Sequence, residues 1–250
     1  MIRATSLVVA LMAGSQALAD GQIRMDDGFG FYNGTDGSGG AFMTTRISGY
    51  NGLTGDNLIS GDGRGTGSDT FLTFCLEYSE HFYFGGYYYT QISTSASNGG
   101  GDPNQGDPNR TDPLSATTAR LYSEFRNGGD FGGTGSFADG YNSSAETTAI
   151  QNAIWYSEGE RSLADIGGMG GLAYQIWDWA NTHNNGTLNN VRVLRLWTDR
   201  TSDGHGGYTY SGHAQDQLTL VPLPSAAWAG LSGLAGIAVL GLRRRAKLAD

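Results

Sequence analysis

The sequence predicts an α+β fold: a β-rich domain with about three inserted helices, preceded by a signal helix and followed by a transmembrane helix. Three observations carry this. Aromatic and β-branched runs punctuated by glycine lie on both sides of a central region, and three segments of helical period lie within it. Each chain terminus also holds an apolar stretch.

At the N-terminus, Arg3 precedes a short apolar core, Ser6 to Gly14, and Ala17-Leu18-Ala19 supplies a small-x-small cleavage pattern. The run is shorter than the roughly 20 residues a membrane span needs. Residues 1–19 therefore read as a signal peptide cleaved before Asp20. At the other end, Leu223 to Leu242 carries no charge and is followed directly by Arg243, Arg244 and Arg245. A helix of this length covers roughly 30 Å, the hydrocarbon thickness of a bilayer, and the arginines mark its cytoplasmic side.

Between these segments, residues 20–220 are enough for one domain with a genuine core. The chain has 15 basic and 24 acidic residues. Five of the basic ones (Arg3, Arg243, Arg244, Arg245, Lys247) and Asp250 lie in the flanking segments, which leaves 10 basic and 23 acidic residues, a net charge of −13. That balance argues against a nucleic-acid partner, which needs a basic footprint. The 41 glycines alone would suit a linker, but 13 Tyr, 10 Phe and 5 Trp suit β-hairpins around an aromatic core. The single cysteine, Cys75, excludes an intramolecular disulfide in a compartment that permits one.

The elements follow in order. Gly28 to Gly40 reads as a loop leading into a strand, Ala41 to Gly49 as that strand, and Asn51 to Ser68 as a turn region. Thr70 to Glu77 and His81 to Thr94, aromatic and β-branched, are the strongest strand signals. Ser95 to Asp112 is an acidic loop. Its Asp102, Asn104, Asp107, Asn109 and Asp112 are oxygen ligands, but the EF-hand spacing fails, so it reads as a solvated loop and no metal site is expected. Ser115 to Arg126 is a helix stopped by Asn127-Gly128-Gly129. Ser143 to Glu158 is a second, with Ser143 and Glu146 at capping-box spacing and an apolar stripe of Ile150, Ala153 and Ile154. Leu172 to Thr182 is a third. Strands return at Asn190 to Trp197 and Gln217 to Val221, with a turn-rich hairpin at Gly204 to Gly212.

Two sets of residues carry function. Val221-Pro222-Leu223-Pro224, the apolar helix and Arg243 to Arg245 together resemble the PEP-CTERM sorting signal of Gram-negative bacteria, with Leu223 where that family usually has Glu. The resemblance implies an inner-membrane-anchored precursor, processing near the prolines by an exosortase-type protease, and a final place at the cell surface or outside it. It covers residues 221–250 only.

The second set is Phe74-Cys75-Leu76-Glu77, on an aromatic strand, with Ile150-Gln151-Asn152-Ala153-Ile154-Trp155, on the second helix. The pair resembles the bacterial thioester domains of surface adhesins, over roughly Ala41 to Leu220, with Ile150 where that family prefers Thr. In that family the cysteine sulfur displaces ammonia from the glutamine side chain, and an amine on a partner then attacks the thioester. The resemblance implies these roles for Cys75 and Gln151, a thioester-domain-like fold, no cofactor, and capture of a surface amine rather than enzymatic turnover. Such a bond needs the two side chains held together and water excluded. Phe74, Leu76, Ile154 and Trp155 are the expected apolar wall. Glu77, at i+2 in an extended strand, shares the face of Cys75 and is the expected acid or base, with His81 the other neighbour. The absence of lysine from residues 20–220 leaves no ε-amine for self-reaction.

Two other readings use the same residues. Cys75 as a hydrolase nucleophile would need a histidine base, but His81, His183, His205 and His213 lie in no recognisable motif. A non-covalent surface protein could stack exposed aromatics such as Tyr87-Tyr88-Tyr89 on an exopolysaccharide ligand.

Overall fold

The computed structural model describes residues 21–32, 39–48, 70–97, 112–133 and 144–221. The predicted signal peptide lies outside them, as do Pro222, Pro224, the predicted membrane span and Arg243 to Arg245. Among the described residues no helix is long and apolar enough to cross a membrane.

The strands are β1 (Gly21–Tyr32), β2 (Gly40–Ser48), β3 (Thr70–Thr73), β4 (Tyr87–Ser93), β5 (Ser95–Ala96), β6 (Asp112–Pro113), β7 (Val191–Ser202) and β8 (Tyr208–Leu220). The helices are α1 (Ala116–Arg126), α2 (Ser144–Ser157) and α3 (Leu172–His183). Six strands form one antiparallel sheet in the order β3-β2-β1-β4-β7-β8, and β5 and β6 pair separately. The described residues are thus β-rich, with a large antiparallel sheet and three α-helices between its fourth and fifth strands.

The outermost strands of this sheet meet each other. Beyond β3, Leu76 N donates to Asp216 O and Leu218 N to Phe74 O (3.0 and 3.1 Å), with Cys75 opposite Gln217. The Thr73 hydroxyl donates to Leu218 O at 2.6 Å across the same seam. The sheet therefore closes on itself at Cys75, so the edge that would expose unpaired backbone groups is covered there.

Strand alternation sends neighbours to opposite faces and makes two cores. Phe74, Leu76, Val193 and Leu218 pack on α1, α2 and α3, against Leu121, Phe125, Ile150, Ile154 and Ile176. Ile23, Met25, Phe42, Phe71, Cys75, Leu194 and Leu196 face the other way and fill the inside of the sheet. Ser115 caps α1. Its Oγ accepts from Thr118 N at 3.0 Å and donates to Glu158 Oε1 at 2.8 Å, which ties the start of α1 to the end of α2. Ser115→Ala is expected to cost about 1–2 kcal/mol, read as a Tm several degrees lower.

The three helices fall within a residue or so of the predicted bounds. The strands depart more. β1 starts at Gly21, where the sequence predicts no element, with alternating Ile23 and Met25 fully buried, and runs on through Gly28 to Tyr32, predicted as a loop. The strand predicted to reach Glu77 ends at Thr73, because the chain bends at Leu76 to follow β8. The strand predicted from His81 starts only at Tyr87, after the turn at Phe84–Gly85. β8 begins nine residues before the predicted Gln217, the turn of its hairpin being confined to residues 203–207.

Candidate functional site

At the closure point, the ladder to β8 uses the backbone groups of Phe74 and Leu76, so those of Cys75 point the other way. Among the described residues no strand reaches them there, since β2 pairs with β3 only as far as Thr73. The Gln151 side chain stands in that place. Cys75 N donates to Gln151 Oε1 at 3.0 Å, and Gln151 Nε2 donates to Cys75 O at 2.8 Å. The carboxamide acts as the peptide group of an absent neighbouring strand. α2 can supply it because Thr147, Gln151 and Trp155, four residues apart, form a second buried stripe beside Ile150 and Ile154.

The sulfur has a different partner. Gln217, opposite Cys75 on β8, donates from Nε2 to Sγ at 3.3 Å, while its Oε1 has no hydrogen-bond partner among the described residues. Cys75 is 1 % exposed. Burial pushes its thiol well above the usual range, the Gln217 bond opposes this, and Glu77 and Glu80 add to the rise. At neutral pH Cys75 is a neutral thiol.

A cleft of about 150 Å³ opens beside Cys75, walled by Phe42, Tyr78, Phe82, Phe84 and Trp155, with Glu80 and His81 also lining it. Gly39 lines it too. Its φ is +62°, and a Cβ there would stand 2.5 Å from Gln151 Cγ and 2.8 Å from the Trp155 ring. Glycine is needed at this point both for the backbone and for the space.

The predicted residues divide around this centre. Cys75 and Gln151 are brought together, and Trp155 lines the cleft. Phe74, Leu76 and Ile154 do not. They lie on the helix-facing side of the sheet, since flanking positions in a strand point away from Cys75. The aromatic wall comes instead from Phe42 and from the segment that follows Cys75. Glu77 is buried, but the bend at Leu76 breaks the alternation that would have put it beside the sulfur. Its Oε2 accepts from Asp216 N at 3.2 Å, and it lines a separate space of about 10 Å³ with Asp112, Glu158 and Glu160. Burial, then Asp216, raise its carboxyl well above the usual range. Val221 is buried at the end of the sheet, its N donating to Asn190 O at 2.8 Å. Among the described residues no group of three or more His, Cys, Asp or Glu is placed to hold a metal ion.

One cluster was not legible in the sequence. His213 on β8 holds Glu80 Oε1 by Nδ1 (3.2 Å) and Asp216 Oδ1 by Nε2 (3.0 Å). Asp216, fully buried, also accepts from Ser97 N at 2.7 Å and Leu196 N at 3.2 Å. Burial works against charge on His213, but the bonds to Asp216 and Glu80 outweigh it and raise its pKa from 6.5 to about 9. A histidine raised in the folded state adds stability in full below its unfolded value, and that stability is lost as pH rises through the folded one. Thermal unfolding scans should therefore show Tm falling between about pH 7 and 9, a fall that His213→Gln makes shallower. The raised carboxyls of Glu77, Glu158 and Glu160 act in the same direction, from the ordinary carboxyl range upward.

The chain matches no protein-family model, no curated protein and no solved structure.

Proposed function

We propose that the chain is an exported surface-attachment protein that captures an amine-bearing partner through an internal Cys75–Gln151 thioester. The observation that carries the reading is the double hydrogen bond between the Gln151 carboxamide and the backbone of Cys75, buried at the side of an open aromatic cleft. In forming the bond, Sγ joins Gln151 Cδ, the Cδ–Nε2 bond breaks, and the thiol proton leaves with Nε2 as ammonia. Cys75 N–H, already on Oε1, is a donor suited to the charge that develops on that oxygen. In capture, the amine nitrogen joins Cδ, the Cδ–Sγ bond breaks, and a proton passes from nitrogen to sulfur. The partner is left as an amide on Gln151, and Cys75 as a thiol.

The placement of this chemistry outside the cell rests on the ends of the chain. The signal-peptide pattern and the PEP-CTERM-like tail (Val221, Pro222, Pro224, the apolar span, Arg243 to Arg245) support export and an inner-membrane precursor. They also support processing by an exosortase-type protease, while the Cys75 and Gln151 motifs support a thioester-domain-like fold for residues 20–220.

A second reading, non-covalent binding of a matrix polysaccharide, is favoured by the exposed aromatics Tyr83, Phe84 and Tyr87 in and beside the cleft-lining segment. A labelled primary amine, biotin-cadaverine, separates the two. The full chain should carry the label through denaturing electrophoresis, and Cys75→Ala should not, while any polysaccharide binding stays unchanged. A wild type that takes up no label would refute the covalent reading.

A further inference from the structure

Glu80, His213 and Asp216 form a chain of hydrogen bonds that starts in the cleft beside Cys75 and ends in the interior of the sheet. Glu80 lines the cleft, in the segment between β3 and β4. His213 spans from its carboxylate to that of Asp216, and Asp216 is fixed by Ser97 N and Leu196 N. A buried aspartate held by two backbone donors gives His213 a fixed orientation, and His213 then fixes Glu80. The chain of bonds joins four segments of the fold: the β3–β4 segment, β8, Ser97 after β5, and β7. An ion pair whose only task was to hold the β3–β4 segment on β8 would not need to end in the cleft.

The geometry points to a role in capture. When an amine attacks a thioester, its nitrogen gains positive charge, and until a proton is removed the adduct reverts by expelling the amine. A base beside the attacked carbon commits the adduct to losing sulfur. The Cys75 thiolate leaves into a buried site and must be protonated there. We propose that Glu80 is the catalytic base that takes the proton from the attacking amine and returns it to Cys75 Sγ, with His213, held by Asp216, as the positioning residue that fixes the Glu80 carboxylate. This rests on the thioester reading above. The step balances: the N–Cδ bond forms, the Cδ–Sγ bond breaks, and one proton moves from nitrogen to Glu80 to sulfur. The charged and titratable groups around Glu80 are His213 and Asp216 on β8, and Glu77, Glu160 and the Cys75 thiol, with His81 also on the cleft wall.

The test uses the full chain and methylamine, following thiol release and the mass gained at Gln151. Glu80→Gln is expected to keep a mass short by one ammonia yet react about a hundredfold more slowly. Glu80→Asp should recover most of the rate, and formate should accelerate Glu80→Ala but not the wild type. Referred to free amine, the wild-type rate should show an inflection near pH 9, where His213 loses its proton, and His213→Gln should lack it. Wild-type rates in Glu80→Gln would overturn the role. So would a Glu80→Asp as slow as Glu80→Gln with no effect of formate, or loss of the ammonia deficit in Glu80→Gln alone. A wild type of full mass would remove the thioester, and this role with it.

Discussion

Replacing Gln151 by Leu in a Cys75→Ala background should destabilise the fold by about 2–5 kcal/mol. The background removes the sulfur, so only hydrogen bonds are compared, and the backbone groups at position 75 stay where they are. Leucine keeps most of the volume but offers neither acceptor nor donor. The N–H and C=O of residue 75 would then be buried with no partner, since the β8 ladder on their other side uses Phe74 and Leu76. Each stranded group costs about 1–3 kcal/mol. Gln151→Glu should fall between the two. Its one oxygen can keep the bond from the backbone N–H, but the other faces the carbonyl of residue 75, which a carboxylate cannot serve as donor. Its deficit should therefore grow as pH rises and the carboxyl ionises. Urea unfolding midpoints of the three chains are the readout, and equal midpoints would show that the carboxamide does not take the place of a strand.

Gly39→Ala should cost a similar amount, by a different route. A non-glycine residue at φ +62° carries a backbone strain of about 1–3 kcal/mol. The added methyl would also meet Gln151 Cγ at 2.5 Å and the Trp155 ring at 2.8 Å, so one of them must move. Overpacking of this kind adds about 1–3 kcal/mol. Gly85→Ala is the natural control, with φ +74° and nothing within 4 Å of its Cβ, so it should carry the backbone part alone. The difference between the two variants isolates the close approach to Gln151. Displacement of Gln151 in Gly39→Ala should also suppress uptake of labelled amine, which Gly85→Ala should leave intact.

These two positions show how far the sequence could be read. The helices were legible because their ends carry local chemistry: Ser115 caps α1, and Asn127-Gly128-Gly129 ends it. Cys75 and Gln151 were singled out by their resemblance to a family motif, and the structure places them in contact. Gly39 offered no local signal, standing in a run of glycines whose members look alike until one is found against Trp155. Glu77 was read from strand alternation, and a bend one residue after Cys75 moved it away from the sulfur. That bend is set by pairing with Asp216, some 140 positions along the chain, and nothing in Phe74 to Glu77 announces it.

The same distance hid the Glu80–His213–Asp216 chain. Gln215, Asp216 and Gln217 look like the polar stretch before a short strand, yet all three are buried in β8. One signal was present: three polar residues leading straight into Leu218-Thr219-Leu220 leave no alternation to expose them all. Buried polar residues in consecutive strand positions need partners from elsewhere in the fold. Here the partners are the Cys75 sulfur, the Glu77 backbone and carboxylate, and His213.

The most direct test of the covalent account is the intact mass of the full chain under denaturing conditions, beside that of Cys75→Ala. The account predicts a wild-type mass short by one ammonia relative to its sequence, a Cys75 that resists alkylation, and a gain of one methylamine at Gln151 when methylamine is added. Cys75→Ala should have full mass and no response. A wild-type chain of full mass, whose thiol is alkylated on unfolding and whose Gln151 gains nothing from methylamine, would contradict it.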